Sequence, residues 1–144
     1  MNPIAKKLMA TANKAASGLY RKTNGKVGSK AKGGLPVLIL TVAGRKSGLP
    51  RSVPVAYFRD GGTYIVVGSA GGMKEEPDWI KNLAATDKAT IQVGETVSPV
   101  AVHIADTTER ERLWRDVVMT EGAFFADYEK KSGRTLRLGV LTPR

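Results

Sequence analysis

Residues 35–55 read LPVLILTVAGRKSGLPRSVPV, two apolar runs around a turn made of Gly44, Arg45, Lys46, Ser47 and Gly48. Leu38, Ile39, Leu40 and Val42 have the apolar and β-branched density of a buried strand, and the glycines permit the positive φ of a tight loop. The stretch therefore predicts a β-hairpin with a cationic tip, to which Arg51 returns a third strong positive charge. Glycine lets a ligand approach the backbone, and successive loop N–H groups beside guanidinium and ammonium groups can hold a phosphate. The same residues also suit a solvated turn that keeps the hairpin from aggregating.

Size and charge narrow the classes of function. A chain of 144 residues with 42% apolar content can bury one core, so a single ordinary domain is expected. With no cysteine and one histidine there is no disulfide framework, thiolate site or histidine-based metal centre, and this composition is compatible with the cytoplasm. The longest apolar run falls far short of the roughly 20 residues needed to span a bilayer. Residues 1–59 hold 12 Lys and Arg and no Asp or Glu, whereas the remainder holds 11 basic and 13 acidic residues. Such asymmetry points the N-terminal part at something anionic: nucleic acid, a membrane surface, or a small polyanion such as a phosphorylated cofactor.

From residue 2 to about residue 17, Ile4, Leu8, Met9, Ala12, Ala15 and Ala16 recur at helical spacing between lysines, predicting a short basic amphipathic helix. Its small apolar face suits docking on its own domain or on a partner subunit better than peripheral membrane contact, the second reading. Residues 23–34, rich in Gly, Lys, Ser and Asn, read as a flexible connection. The organisation expected is thus 1–34, helix and connection, and 35–144, the folded domain. Beyond the hairpin, Asp60-Gly61-Gly62 marks a turn before a third strand over 63–69, giving a three-stranded meander. Gly68-Ser69-Ala70-Gly71-Gly72 then leads to a helix starting at Pro77-Asp78 and carrying Trp79, Ile80 and Leu83. Strands over 89–93 and 97–105 form a second hairpin around Gly94-Glu95. Asp106 and Glu109 pair as a cap for a helix with Leu113, Trp114, Val117 and Val118 inside, Gly122 interrupts it, and a short helix carries Phe124, Phe125 and Tyr128. Leu136, Leu138 and Val140 alternate as a sixth strand. Six mostly antiparallel strands with a few helices suggest an α+β domain with a small barrel.

PVLILTVAGRKSGLPRSVPV, a strand running into GSAGG, and PDWIKNLAA, in that order, resemble the deazaflavin-dependent nitroreductase family over most of residues 35–142. The resemblance implies a split β-barrel of the FMN-binding split-barrel type. It also implies an oxidoreductase that binds the reduced 8-hydroxy-5-deazaflavin coenzyme F420 and transfers a hydride to activated alkenes, quinones or nitro compounds. By that resemblance Arg45, Lys46 and Arg51 take the coenzyme's phosphodiester and glutamate tail, with Ser47 and Gly48 shaping the turn. Val53 and Pro54 lie beside the ring, as do Val67, Gly68, Ser69, Ala70 and Gly71, with Ser69 near the hydride-donating carbon. Trp79 and Asn82 contact the coenzyme from one helix face, and Phe124, Phe125 and Tyr128 border the acceptor. Ala70 departs from the pattern, since members often carry lysine after the loop serine.

Two phenylalanines where relatives have tyrosines imply an apolar pocket for flat, hydrophobic acceptors, with Tyr128 as proton donor or hydrogen-bonding group. The catalytic candidates are therefore Ser69 and Tyr128, with no metal. His103 reads as structural. An FMN- or haem-binding barrel is the alternative, although one phosphate is less than this basic half can serve. A nucleic-acid module fits poorly because Tyr20 is the lone aromatic before Tyr57. Monomer and homodimer remain open, as does membrane association of a cytoplasmic protein.

Overall fold

The computed structural model describes residues 3–144. Seven strands form one antiparallel sheet: β1 (Val37–Ala43), β2 (Pro50–Ala56), β3 (Phe58–Asp60), β4 (Thr63–Val67), β5 (Lys88–Val93), β6 (Thr96–Ile104) and β7 (Leu138–Pro143). Their order is β2-β1-β5-β6-β7-β4-β3. The two edge strands, β2 and β3, are separated in the chain by Tyr57 alone. Flat, a seven-stranded sheet would hold its edges about 29 Å apart, yet two virtual bonds span at most about 7.6 Å. The sheet must curl until its edges meet, and a half-barrel of the split-barrel type results.

This topology corrects two expectations. Among the described residues the strands number seven rather than six, because Phe58–Asp60 pairs with β4 ahead of the Asp60-Gly61-Gly62 turn. The first three expected strands are no meander: β4 pairs with β3 and β7, and β2 pairs only with β1. The break falls at Tyr57, whose N–H donates to the Pro36 carbonyl (3.0 Å) and draws the chain to the other edge.

Inside the curl, Leu38, Leu40, Val42, Val53, Val55, Val66, Val100 and Leu141 close on Ile80 and Leu83 of helix α2 (Asp78–Ala84). The outer face of β4 and β7 is covered by α3 (Thr107–Leu113), a π turn (Trp114–Val118), α4 (Met119–Glu121) and α5 (Phe125–Ser132), which bury Leu113, Val118 and Phe125 against Ile65, Val67, Leu138 and Val140. The expected cap is present, the Asp106 carboxylate accepting from the Glu109 N–H at 2.9 Å. His103 binds Glu109 (2.9 Å), away from the features described below.

Helix α1 (Pro3–Lys22) lies on the outer face of β1 and β2. It runs past its expected end near residue 17, and the expected Asn2 start lies outside the described residues. Tyr20 explains the extra turn: 2% exposed, it donates to the Val37 carbonyl (3.0 Å) and accepts from the Gly94 N–H (2.8 Å), joining α1 to two hairpins. Arg21 adds bonds to the Thr41 and Ser52 hydroxyls. The stretch expected as a flexible connection carries bonds of its own, from the Gly25 N–H to Tyr20, from the Val37 N–H to Ser29, and a bridge between Lys30 and Pro36.

Both partners of the Tyr20 hydroxyl are backbone groups that its loss would strand. Tyr20→Phe is expected to lower stability by about 1–3 kcal/mol. Urea unfolding would show this as a lower midpoint at an unchanged slope.

Candidate functional site

The GRKSG tip is a closed loop. The Gly44 N–H donates to the Leu49 carbonyl and the Gly48 N–H to the Gly44 carbonyl, both at 2.8 Å, while the Ser47 hydroxyl accepts from the Leu49 N–H (3.2 Å). Gly48 takes the positive φ that the turn requires, +74°. The tip leans on α2. Asn82, buried on the helix, receives both the Arg45 backbone N–H (3.1 Å) and its guanidinium (2.9 Å) on one side-chain oxygen. Asp78 adds a long contact to the same guanidinium, 3.5 Å with half of the Asp78 side chain exposed, which contributes little in water.

A neutral amide therefore orients Arg45 without cancelling its charge. Lys46 and Arg51 are exposed and make no ion pair among the described residues. Three cations share one end of the hairpin, two with their ammonium and guanidinium groups open to solvent. The set suits a ligand bearing phosphate and carboxylate groups.

Neighbouring positions on β2 diverge because of the pleat. Val53 points into the core with Ile80 and Leu83, and Trp79 packs on the margin of that cluster. Pro54 pairs with Ile39 and so shares the opposite, α1-covered face with Ser52 and Thr41. As an edge-strand residue its missing N–H costs the ladder nothing.

The second group of candidates lies around the loop after β4. Ser69 is right-handed (φ −89°, ψ −36°), and Ala70 (φ +47°), Gly71 (φ +62°) and Gly72 (φ +85°) then follow in left-handed backbone. Such an αR–αL succession is the geometry that turns backbone N–H groups into an anion-binding concavity. At Ala70 the conformation costs roughly 1 kcal/mol and needs outside support. Gly72 has no room for a side chain: a Cβ there would lie 3.2 Å from the Tyr128 Cα and carbonyl, so α5 seats on the loop. Tyr128 thereby stands beside the Ser69 loop, with Phe124 next to it (rings 5.7 Å apart). Val67 and Phe125 point away into the outer cluster, Phe125 edge-on to Phe58 at 6.0 Å.

Arg134 is the support, and nothing in its sequence context announces it. Its guanidinium donates to the carbonyls of Gly68 (2.9 Å), Ser69 (2.9 Å), Met73 (3.2 Å) and Glu75 (3.3 Å). Burial draws its pKa below the ordinary arginine value, with Arg137 acting in the same sense and Glu76 against. Arg137 adds a bidentate pair to Glu76 (2.7 and 2.8 Å). The four carbonyls come from one loop, while the arginine lies 59 to 66 residues away in the chain, so neither periodicity nor motif spacing signals the contact. Arg134→Met should release the loop: hydrogen exchange of amides 69–75 is expected to quicken at least tenfold, with β5 and β6 unchanged. Equal rates in both proteins would show the loop to be self-supporting.

Among the described residues no group of three or more His, Cys, Asp or Glu is placed to hold a metal, and no helix is long and apolar enough to cross a membrane. The donor set is basic and hydroxylic, fitting an organic polyanion.

A family model described as F420H2-dependent quinone reductase matches residues 13–143. An F420H2-dependent quinone reductase of Mycobacterium tuberculosis is 35% identical over 131 residues, 88% of this chain and 86% of that protein. Among solved structures, the F420-H2 dependent reductase FDR-A superposes with a TM-score of 0.65 at 29% identity, over 74% of this chain and 93% of that one. A structure described as a domain-swapped dimer gives a TM-score of 0.68 at 25% identity, over 89% and 94%. A polyanion-suited hairpin tip, a left-handed loop beside a tyrosine, the half-barrel that carries them and these likenesses agree: the chain belongs to the F420H2-dependent quinone reductase family.

Proposed function

We propose that this chain reduces quinones by holding the coenzyme's tail on the hairpin tip and its ring along the Ser69 loop, with the acceptor entering beside Phe124 and Tyr128. The reductase class, the deazaflavin coenzyme and the quinone acceptor follow from the family; the assignment of residues is ours. The observation that carries it is the Asn82 clasp, which sets Arg45 in place beside two uncommitted cations, Lys46 and Arg51. A phosphodiester with several carboxylates matches that charge far better than the single phosphate of FMN.

When bound, the reduced coenzyme supplies the hydride, and the protein needs chiefly to position, desolvate and polarise. Arg45, Lys46 and Arg51 hold the anionic tail by charge-assisted hydrogen bonds. Ser69 and the loop N–H groups border the reacting edge, with the Ser69 hydroxyl able to donate to an acceptor oxygen. Trp79, on the margin of the core, walls the ring's apolar side. Phe124 gives a flat, apolar acceptor a surface to stack on, and Tyr128 offers the adjacent hydroxyl for a hydrogen bond or a proton.

The assembly we infer is a homodimer, supported by the domain-swapped dimer among the similar structures and by the exposed Ile4 and Leu8 of α1. Sedimentation with and without anionic vesicles separates self-association from membrane contact through the same helix.

Titration of the purified protein with the deazaflavin coenzyme and with FMN, followed by fluorescence, tests the cofactor assignment. Binding of the deazaflavin alone at micromolar or tighter affinity is expected, and binding of FMN alone would overturn it. Arg51→Ala and Lys46→Ala should each weaken coenzyme binding by about 1.5–3 kcal/mol. Wild-type affinity in both would remove the tail site. Asn82→Ala should weaken binding by a smaller factor, since it leaves all three cations present and only loosens Arg45.

A further inference from the structure

A lysine from the N-terminal connection reaches the aromatic group. The Lys32 ammonium lies 5.0 Å from the ring centroids of both Phe124 and Tyr128 and 3.3 Å from the Tyr128 hydroxyl. A short 3-10 turn (Lys32–Gly34) delivers it, closed by the Gly34 N–H on the Ala31 carbonyl (3.0 Å). The turn is seated on the aromatics: Gly33 has φ +75°, and a Cβ there would lie 3.0 Å from a Phe124 ring carbon. A surface lysine ordinarily keeps its rotamer freedom. Here two cation–π contacts and a hydrogen bond draw its end to one place.

The chemistry of the pair is directional. An ammonium has donors and no acceptor, so the Tyr128 oxygen must accept from Lys32. The phenolic O–H is thereby left to donate elsewhere, while the Tyr128 backbone packs on Gly72 of the Ser69 loop.

We propose that Lys32 is the positioning residue for Tyr128. It directs the phenolic proton to the acceptor and offsets the negative charge then left on the phenolic oxygen. The inference rests on the placement of the acceptor beside Tyr128 proposed above. In reducing a quinone, the acceptor gains a hydride with its electron pair, and the oxygen that collects the charge takes a proton. The Tyr128 O–H bond breaks as the new O–H bond forms, and solvent returns a proton to the phenolate. Through this exchange the Lys32 ammonium stays at the Tyr128 oxygen as that oxygen becomes negative. Acceptors whose reduction puts charge on oxygen are the class this pair selects.

Two measurements test the proposal, one of them without coenzyme. The probe for the first is 4-nitrophenolate, an aromatic oxyanion resembling a hydroquinone anion, whose absorbance reports binding to the apo-protein. Lys32→Met should weaken its binding about tenfold, as for a lost charge-assisted contact. Lys32→Arg should retain most of the affinity, and neutral nitrobenzene should bind all three proteins alike. In the second, Lys32→Met should lower kcat for a quinone about tenfold while leaving coenzyme affinity within twofold, and should have no further effect in a Tyr128→Phe background. Unchanged 4-nitrophenolate affinity in Lys32→Met, or losses that simply multiply in the double variant, would overturn the role. Failure of the wild-type protein to bind the coenzyme would count against the proposed function, while the 4-nitrophenolate comparison would still decide the role of Lys32.

Discussion

Tyr57 joins the two edges of a seven-stranded sheet, and that one-residue link decides the form of the molecule. Since β2 and β3 must approach within two virtual bonds, the sheet curls, and its concave face encloses the cluster built on Leu38, Leu40 and Val66. Helix α2 then packs on that cluster through Ile80 and Leu83, placing its polar residues Asp78 and Asn82 against the tip of the β1–β2 hairpin. The convex face of β4 and β7 remains apolar and is covered by α3 to α5, which bring Tyr128 to the loop after β4. Both parts of the candidate site are consequences of closing the sheet.

The cations of the site are held in place by neutral oxygens. Arg45 is held by the Asn82 amide, with only a long contact to Asp78, and Arg134 by four backbone carbonyls, whereas Arg110 and Arg137 are paired with Glu129 and Glu76. A carboxylate in place of Asn82 would hold Arg45 as well and would cancel much of its attraction for an anion. Orientation without neutralisation keeps the field of the basic half directed outward. Arg134 acts behind the loop: by occupying the carbonyls of Gly68 and Ser69, it supports the left-handed turn at Ala70 that otherwise has only its own chain to favour it.

The hairpin, the Gly68 loop, the start of α2 at Asp78 and the cap at Asp106 were legible in sequence because each depends on neighbours a few residues apart. Strand β3 was not, since three residues carry too little periodicity to separate from the turn that follows. The pairing of β4 with β7 was hidden for a different reason: strand partners are chosen by which apolar faces can be buried together, and 63–67 and 138–143 are remote in the chain. The last turn of α1 had the same origin, in contacts of Tyr20 with Val37 and Gly94.

By itself the sequence determined the chemical character of the protein. A cationic tip on a hairpin, a basic N-terminal part without acids, a glycine loop before a helix and the absence of cysteine are local or compositional facts, and together they point to an anionic partner; the resemblance carried by the ordered motifs implied that this partner is a coenzyme. Tertiary structure alone decided which side chains act together. It placed Asn82 under Arg45, turned Pro54 away from Val53, put Phe125 in the core and Phe124 at its edge, and brought Lys32 and Arg134 to Tyr128 and the Ser69 loop. Residue type sets what a group can donate, accept or carry, whereas partnership requires two groups to meet in space, and for residues tens of positions apart only the packing of the closed sheet does that.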